Sequence, residues 1–204
     1  MLTVSDDFVT RLAQRAAEAE DLRRLPDATI ADFRAEGMGR LLLPARYGGE
    51  QAPFSAILEP VRRMAHGCAS SAWTLGFYIL HNWMLALFDE RAQDEVFADG
   101  PVLCPAPLAP TGRGLPVEGG VRLSGRWSWA TGVMDADWIL VGAMCGPDDG
   151  IYPALALLPA EQPAALPSAR FQAIFGRHVT SPYHHHIHLD TLSWYLVPFL
   201  DGTR

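Results

Sequence analysis

The sequence contains no lysine. All 16 of its basic residues are arginine and they stand against 23 acidic ones, a net charge of -7. Phosphate backbones are bound by clustered positive charge, so nucleic acid is excluded as a general partner. Cysteine is scarce, with only Cys68, Cys104 and Cys145 among 204 residues. An odd, widely spaced set is no disulfide framework and fits reduced thiols in a cytoplasmic protein. Long apolar runs are missing too, since the longest, from Ala72 to Phe88, is broken by His81 and Asn82, so a membrane span is not expected. The N-terminus MLTVSDDFVTRLAQ lacks a basic stretch followed by an apolar one, so a secretion signal is not expected. There is no GxGxxG turn, P-loop, GxSxG elbow or CxxC pair, which excludes a nucleotide-binding Rossmann unit.

What is present reads as a compact chain, 49% apolar and 19% charged, long enough to bury a real core. The first half has helical periodicity. Ser5 is placed to cap a helix running to about Arg24, with Phe8, Leu12, Ala16 and Ala19 on one face. In "LPDATIADFRAEGMG", Pro26 opens a second helix and Gly37 closes it. After the connector "LLLPARYGGE", helical patterns resume over about 53–66, 69–88 and 90–97. From Gly100 onward prolines and glycines punctuate short runs of β-formers: "GVRLSGRWSWATG", "ADWILVGAMC", "YPALALLP" and "HHHIHLDTLSWYLVP". The expected fold class is α+β, with an all-α domain over 1–98 followed by a β-sandwich or barrel-like domain over 99–204.

Three stretches carry candidate chemistry. Read as one extended strand, "GRWSWATG" sends Trp127, Trp129 and Thr131 to one face and Arg126, Ser128 and Ala130 to the other. Such a face is either the aromatic core of a β-sandwich or the wall of a planar heteroaromatic ring, with the hydroxyl serving a ring nitrogen. In "CASSAWTLGFYILHNWMLALF", Trp73, Tyr78 and His81 fall near one helical stripe. His81 is then either a hydrogen-bonded residue of a helix–helix seam or the polar contact of an apolar small-molecule pocket. In "HHHIH", His184, His186 and His188 share a strand face with Asp190 in register. Three imidazoles so spaced suit a metal, but no further ligand stands at a recognisable spacing. The expectation is solvent-facing histidines on an edge strand and no metal site.

Together "LPDATIADFRAEGMGRLLLPARYGG", "CASSAWTLGFYILHNW" and "GGVRLSGRWSWATGVMDADWILVGA" resemble the first two domains of the acyl-CoA dehydrogenase superfamily of flavoproteins, over about residues 20–145. In that superfamily a Trp-x-Thr on the corresponding strand meets the flavin, and the matching residues are Trp129, Ala130 and Thr131. The Gly-Arg-Trp start, the later Ala-Asp-Trp and the Trp73/His81 spacing resemble the flavin-dependent aromatic monooxygenases, the oxygenase components of two-component phenol hydroxylases of the 4-hydroxyphenylacetate 3-hydroxylase kind. The dehydrogenase branch carries a Thr-Glu…Gly-Ser-Asp loop, where this chain has "CPAPLAPTGRG".

The resemblance implies a flavin, FMN or FAD, delivered reduced by a separate reductase and used with O2 to hydroxylate a phenol. Thr131 would serve flavin N5, Trp129 and Trp73 would wall the ring, and His81 would bind the phenol oxygen. It also implies a cytoplasmic homo-oligomer, usually a tetramer. Two alternatives stay open: dehydrogenation of an acyl-CoA thioester, and a catalytically inactive fragment, because the superfamily's C-terminal helical bundle is not recognisable before Arg204.

Overall fold

Ser5 opens the first helix as its spacing predicts, its hydroxyl accepting from the Phe8 N–H at 3.1 Å. In the computed structural model, which describes residues 2–118, 120–147, 150 and 152–160 and the strand backbones at 172–174, 186–193 and 195–198, the chain divides into two compact units. The first runs to Cys104 and the second starts at Pro105.

The first unit is helical. Helices α1 (Asp6–Gln14) and α2 (Ala16–Leu22) replace the single helix expected to Arg24, because Arg15 leaves helical geometry between them. Helix α3 (Asp27–Glu36) ends at Gly37, whose φ of 71° is the left-handed conformation that favours glycine there. Then come α4 (Leu58–Gly67), α5 (Ala69–Leu85) and α6 (Glu90–Val96). Phe8 and Leu12 of α1, Phe33 of α3, Met64 of α4 and Leu75, Tyr78 and Ile79 of α5 share one core with Met38 and Leu41. Helix α5 is buried along much of its length, which explains why so few of its residues are polar.

The second unit is a seven-stranded sheet: β1 (Gly112–Val117), β2 (Gly120–Trp127), β3 (Trp138–Cys145), β4 (Tyr152–Pro159), β5 (Gln172–Ile174), β6 (His186–Ser193) and β7 (Tyr195–Pro198), in the order β5-β6-β2-β1-β3-β4-β7. All neighbours are antiparallel except β1 and β3. Strand β1 lies in a stretch that reads as a loop, being rich in glycine and proline. Gly112 belongs there because a Cβ would sit inside the Trp127 ring. Pro116 is tolerated because β1 pairs with β3 only over Gly112–Gly114, so its missing N–H breaks no bond on that side. The core of this unit gathers Val121, Leu123, Trp127, Ile139, Val141 and Leu158. The α-then-β order expected from the sequence is the one observed.

The edge-strand expectation for the histidines is overturned. Strand β6 pairs with β2 on one side, Arg126 opposite His188, and with β5 on the other, Gln172 opposite His188. Whether a strand is an edge depends on distant pairing, which alternation along the strand itself does not reveal. His184 lies outside the described residues, as do the side chains of His186 and His188.

Candidate functional site in two parts

On helix α5 three rings stack at four-residue steps. Trp73 meets Phe77 edge-on with centroids 5.0 Å apart, and Phe77 stacks on His81 at 5.3 Å. Trp73 is 55% exposed while His81 is 4% exposed, so the ladder runs from the surface into the unit. Phe77 completes the stripe. Tyr78, the residue the sequence reading placed there, turns away into the core against Phe33, at 6.3 Å. A 3.6-residue repeat brings positions four and eight along onto the face of Trp73, and position five falls about a quarter-turn further round. Beside the ladder lies an apolar groove of about 230 Å³, lined by Ile57, Leu58 and Val61 and by Trp73, Phe77 and Leu80.

One hydrogen bond orients the His81 ring. Its Nδ1 stands 2.5 Å from the Cys104 carbonyl oxygen. A carbonyl only accepts, so Nδ1 carries the proton and Nε2 carries the lone pair. Burial drives the imidazole pKa down to about 4, and the bond to Cys104 pulls it weakly the other way. The ring is therefore neutral at neutral pH, a hydrogen-bond acceptor at Nε2. Desolvation of the cation outweighs the hydrogen bond that favours it.

In the second unit, the segment after β2 departs from the extended strand assumed from sequence. Pairing stops at Trp127. Trp129 has a φ of 67°, Gly132 a φ of 80°, and the Thr131 N–H donates to the Trp129 carbonyl at 3.0 Å. A short 3₁₀ turn, Val133–Asp135, follows. The expected shared face of Trp127, Trp129 and Thr131 is thereby split. Trp127 is buried, its Nε1 donating to the Gly142 carbonyl at 2.5 Å. Trp129 is turned out, 50% exposed; Ala130 is fully buried and Thr131 is 6% exposed. The aromatic-core reading of the stretch holds for Trp127 and not for Trp129. A bulky residue at positive φ costs about 1 kcal/mol or more, and such strain collects at ligand-binding segments.

Among the described residues no group of three or more His, Cys, Asp or Glu side chains could hold a metal ion. None of the three cysteines forms a disulfide, and Cys104 and Cys145 are fully buried. No described helix is long and apolar enough to cross a membrane.

No family model matches the sequence. Over 143 residues, 70% of this chain and 36% of the relative, it is 39% identical to the flavin-dependent monooxygenase oxygenase subunit HsaA of Mycobacterium tuberculosis. It is 35% identical over 151 residues, 72% of this chain and 37% of the relative, to the oxygenase component of the FADH2-dependent resorcinol hydroxylase of a Rhizobium strain. This chain is a homologue of flavin-dependent monooxygenase oxygenase subunits. The fold agrees: the crystal structure of 3-HSA hydroxylase from Rhodococcus sp. RHA1 superposes with a TM-score of 0.82 at 30% identity, covering 95% of this chain and 51% of that one. The chain thus spans about a third of the length of those curated relatives.

Trp73, His81, Trp129, Ala130 and Thr131 stand out in the sequence as candidates, whereas Phe77 and Asn82 do not. Phe77 was accessible from its four-residue spacing to Trp73 and His81. Asn82 was not, because its partner lies 20 residues away in a segment without regular structure.

Proposed function

We propose that this chain contributes to the oxygenase component of a two-component monooxygenase that hydroxylates a phenolic substrate with reduced flavin and O2. The observation that carries the reading is His81, a neutral imidazole whose Nδ1 is tied to backbone, leaving a base nitrogen at the buried end of an aromatic ladder. In that role Nε2 accepts the hydrogen bond of the phenol O–H and orients the ring. It draws electron density into the ring through the oxygen without having to carry a stable positive charge.

The flavin, FMN or FAD, supplies the activation of O2. The residues present fit it: an indole held outward on strained backbone at Trp129, with small, buried Ala130 and buried Thr131 next in the chain, suits an apolar slot for a planar tricycle. Thr131 would hydrogen-bond N5, and Trp129 would wall the ring and keep water from it. The names of the relatives support a phenol and a reduced flavin. The same reading makes the protein a cytoplasmic homo-oligomer served by a separate flavin reductase.

The test is to titrate the purified chain with FMN and FAD, oxidised and reduced, and then to supply a flavin reductase, NADH and a panel of phenols. Tighter binding of reduced flavin and formation of a catechol-type product are expected. His81→Ala should divert reducing equivalents from hydroxylated product to H2O2. Unchanged coupling in that variant removes His81 from the role, and the absence of flavin binding by the chain removes the reading.

A further inference from the structure

The segment Val102–Cys104 is buried yet belongs to no helix or strand, so its peptide groups need partners that no ladder supplies. Two consecutive residues of α5 partner three of them. Asn82, with no exposed surface, accepts from the Val102 N–H at 3.0 Å and donates to the Val102 carbonyl at 2.8 Å, the pairing one residue offers another in a sheet. Its second donor hydrogen goes to the Tyr78 carbonyl, one turn back on α5, at 2.7 Å. Both amide hydrogens are used, so the side chain has one orientation. Two residues beyond the clamped Val102 is Cys104, whose carbonyl meets His81.

We infer that Asn82 is a positioning residue for His81: by clamping Val102 to α5 it holds the Cys104 carbonyl where it selects the Nδ1–H tautomer and aims Nε2. The inference rests on the role proposed for His81, but it acts through backbone and needs neither flavin nor phenol to be observed. In free histidine the Nε2–H tautomer is the favoured one, so releasing the carbonyl should reverse the proton's place.

The experiment is nitrogen-15 NMR of the His81 ring in the full chain, titrated from neutral to acid pH. The wild type should show protonated Nδ1 and a ring that stays neutral down to about pH 4. Asn82→Asp keeps the acceptor for the Val102 N–H and loses both donors. Val102→Pro removes that N–H and leaves Asn82 intact. In each folded variant the Nε2–H form should become a major population and the ring should titrate closer to ordinary histidine. With phenol and reduced flavin supplied, kcat should fall about tenfold with a smaller change in KM.

A folded variant that retains the wild-type tautomer and titration overturns the inference. Global unfolding of both variants also overturns it, because the clamp is then part of the folding core. If the tautomer shifts as expected but wild-type protein neither binds nor hydroxylates any phenol, the clamp stands and the phenol reading falls.

Discussion

His81 and Cys104 are 23 residues apart in the chain, and Nδ1 of one lies 2.5 Å from the carbonyl oxygen of the other. That one bond settles which nitrogen holds the proton and ties the end of the helical unit to its longest helix. A side chain that is only a histidine in an apolar run becomes, through it, an acceptor of fixed direction.

The neutrality of His81 should register as acid sensitivity. In the unfolded chain its imidazole protonates near pH 6.5, while in the folded protein it stays neutral to about pH 4. Between those values the unfolded state holds more protons, so stability falls as pH drops through that window, and this contribution is fully present above it. The loss amounts to roughly 3 kcal/mol by pH 4. Urea unfolding at about pH 5 and pH 7.5 on wild type and on His81→Gln measures it; equal pH dependence in the two proteins would refute the assignment.

The two tryptophans of "GRWSW" should respond unequally to the same substitution. Trp127→Phe removes buried volume and the donor to Gly142, at a cost of roughly 2–4 kcal/mol. Trp129→Phe alters a half-exposed ring and should stay within about 0.5 kcal/mol. Thermal melts of the pair decide, and a matched loss of Tm would mean that Trp129 also packs in a core.

Gly112→Ala places a methyl where the Trp127 ring already lies. The ring cannot retreat without leaving its bond to Gly142, so roughly 1–3 kcal/mol of stability should go. Tryptophan fluorescence should shift toward that of exposed indole; an unchanged melting curve and spectrum would contradict the packing described.

Trp129→Asn tests whether the strain at φ 67° serves a ligand. Asparagine tolerates the left-handed region, so stability should be level or rise by up to about 1 kcal/mol. Affinity for reduced flavin should fall about tenfold or more as one aromatic wall is lost. Flavin binding as tight as in wild type would release Trp129 from the site.

Much of the helical unit was readable locally. Ser5 as cap, Gly37 as stop and the apolar spacing of α1 and α3 act over three or four residues, which is the range that periodicity samples. The candidate site was readable as a set of residue types and only partly as geometry. His81 and Trp73 stand on one ladder as their spacing allows, but Phe77 rather than Tyr78 joins them. The strand expected to carry Trp129 ends at Trp127, two residues too early for simple alternation to apply.

By itself, then, the sequence determined the α-then-β order, the net negative charge and the residue types available to a site, because composition and short-range periodicity are properties of the chain alone. Only the tertiary structure decided that Trp127 goes in and Trp129 out, that β6 lies inside its sheet, and that His81 is neutral with its proton on Nδ1. Each of those depends on a partner far along the chain — Gly142, the strand at 172–174, Cys104 — and burial and hydrogen-bond direction exist only once such partners have met.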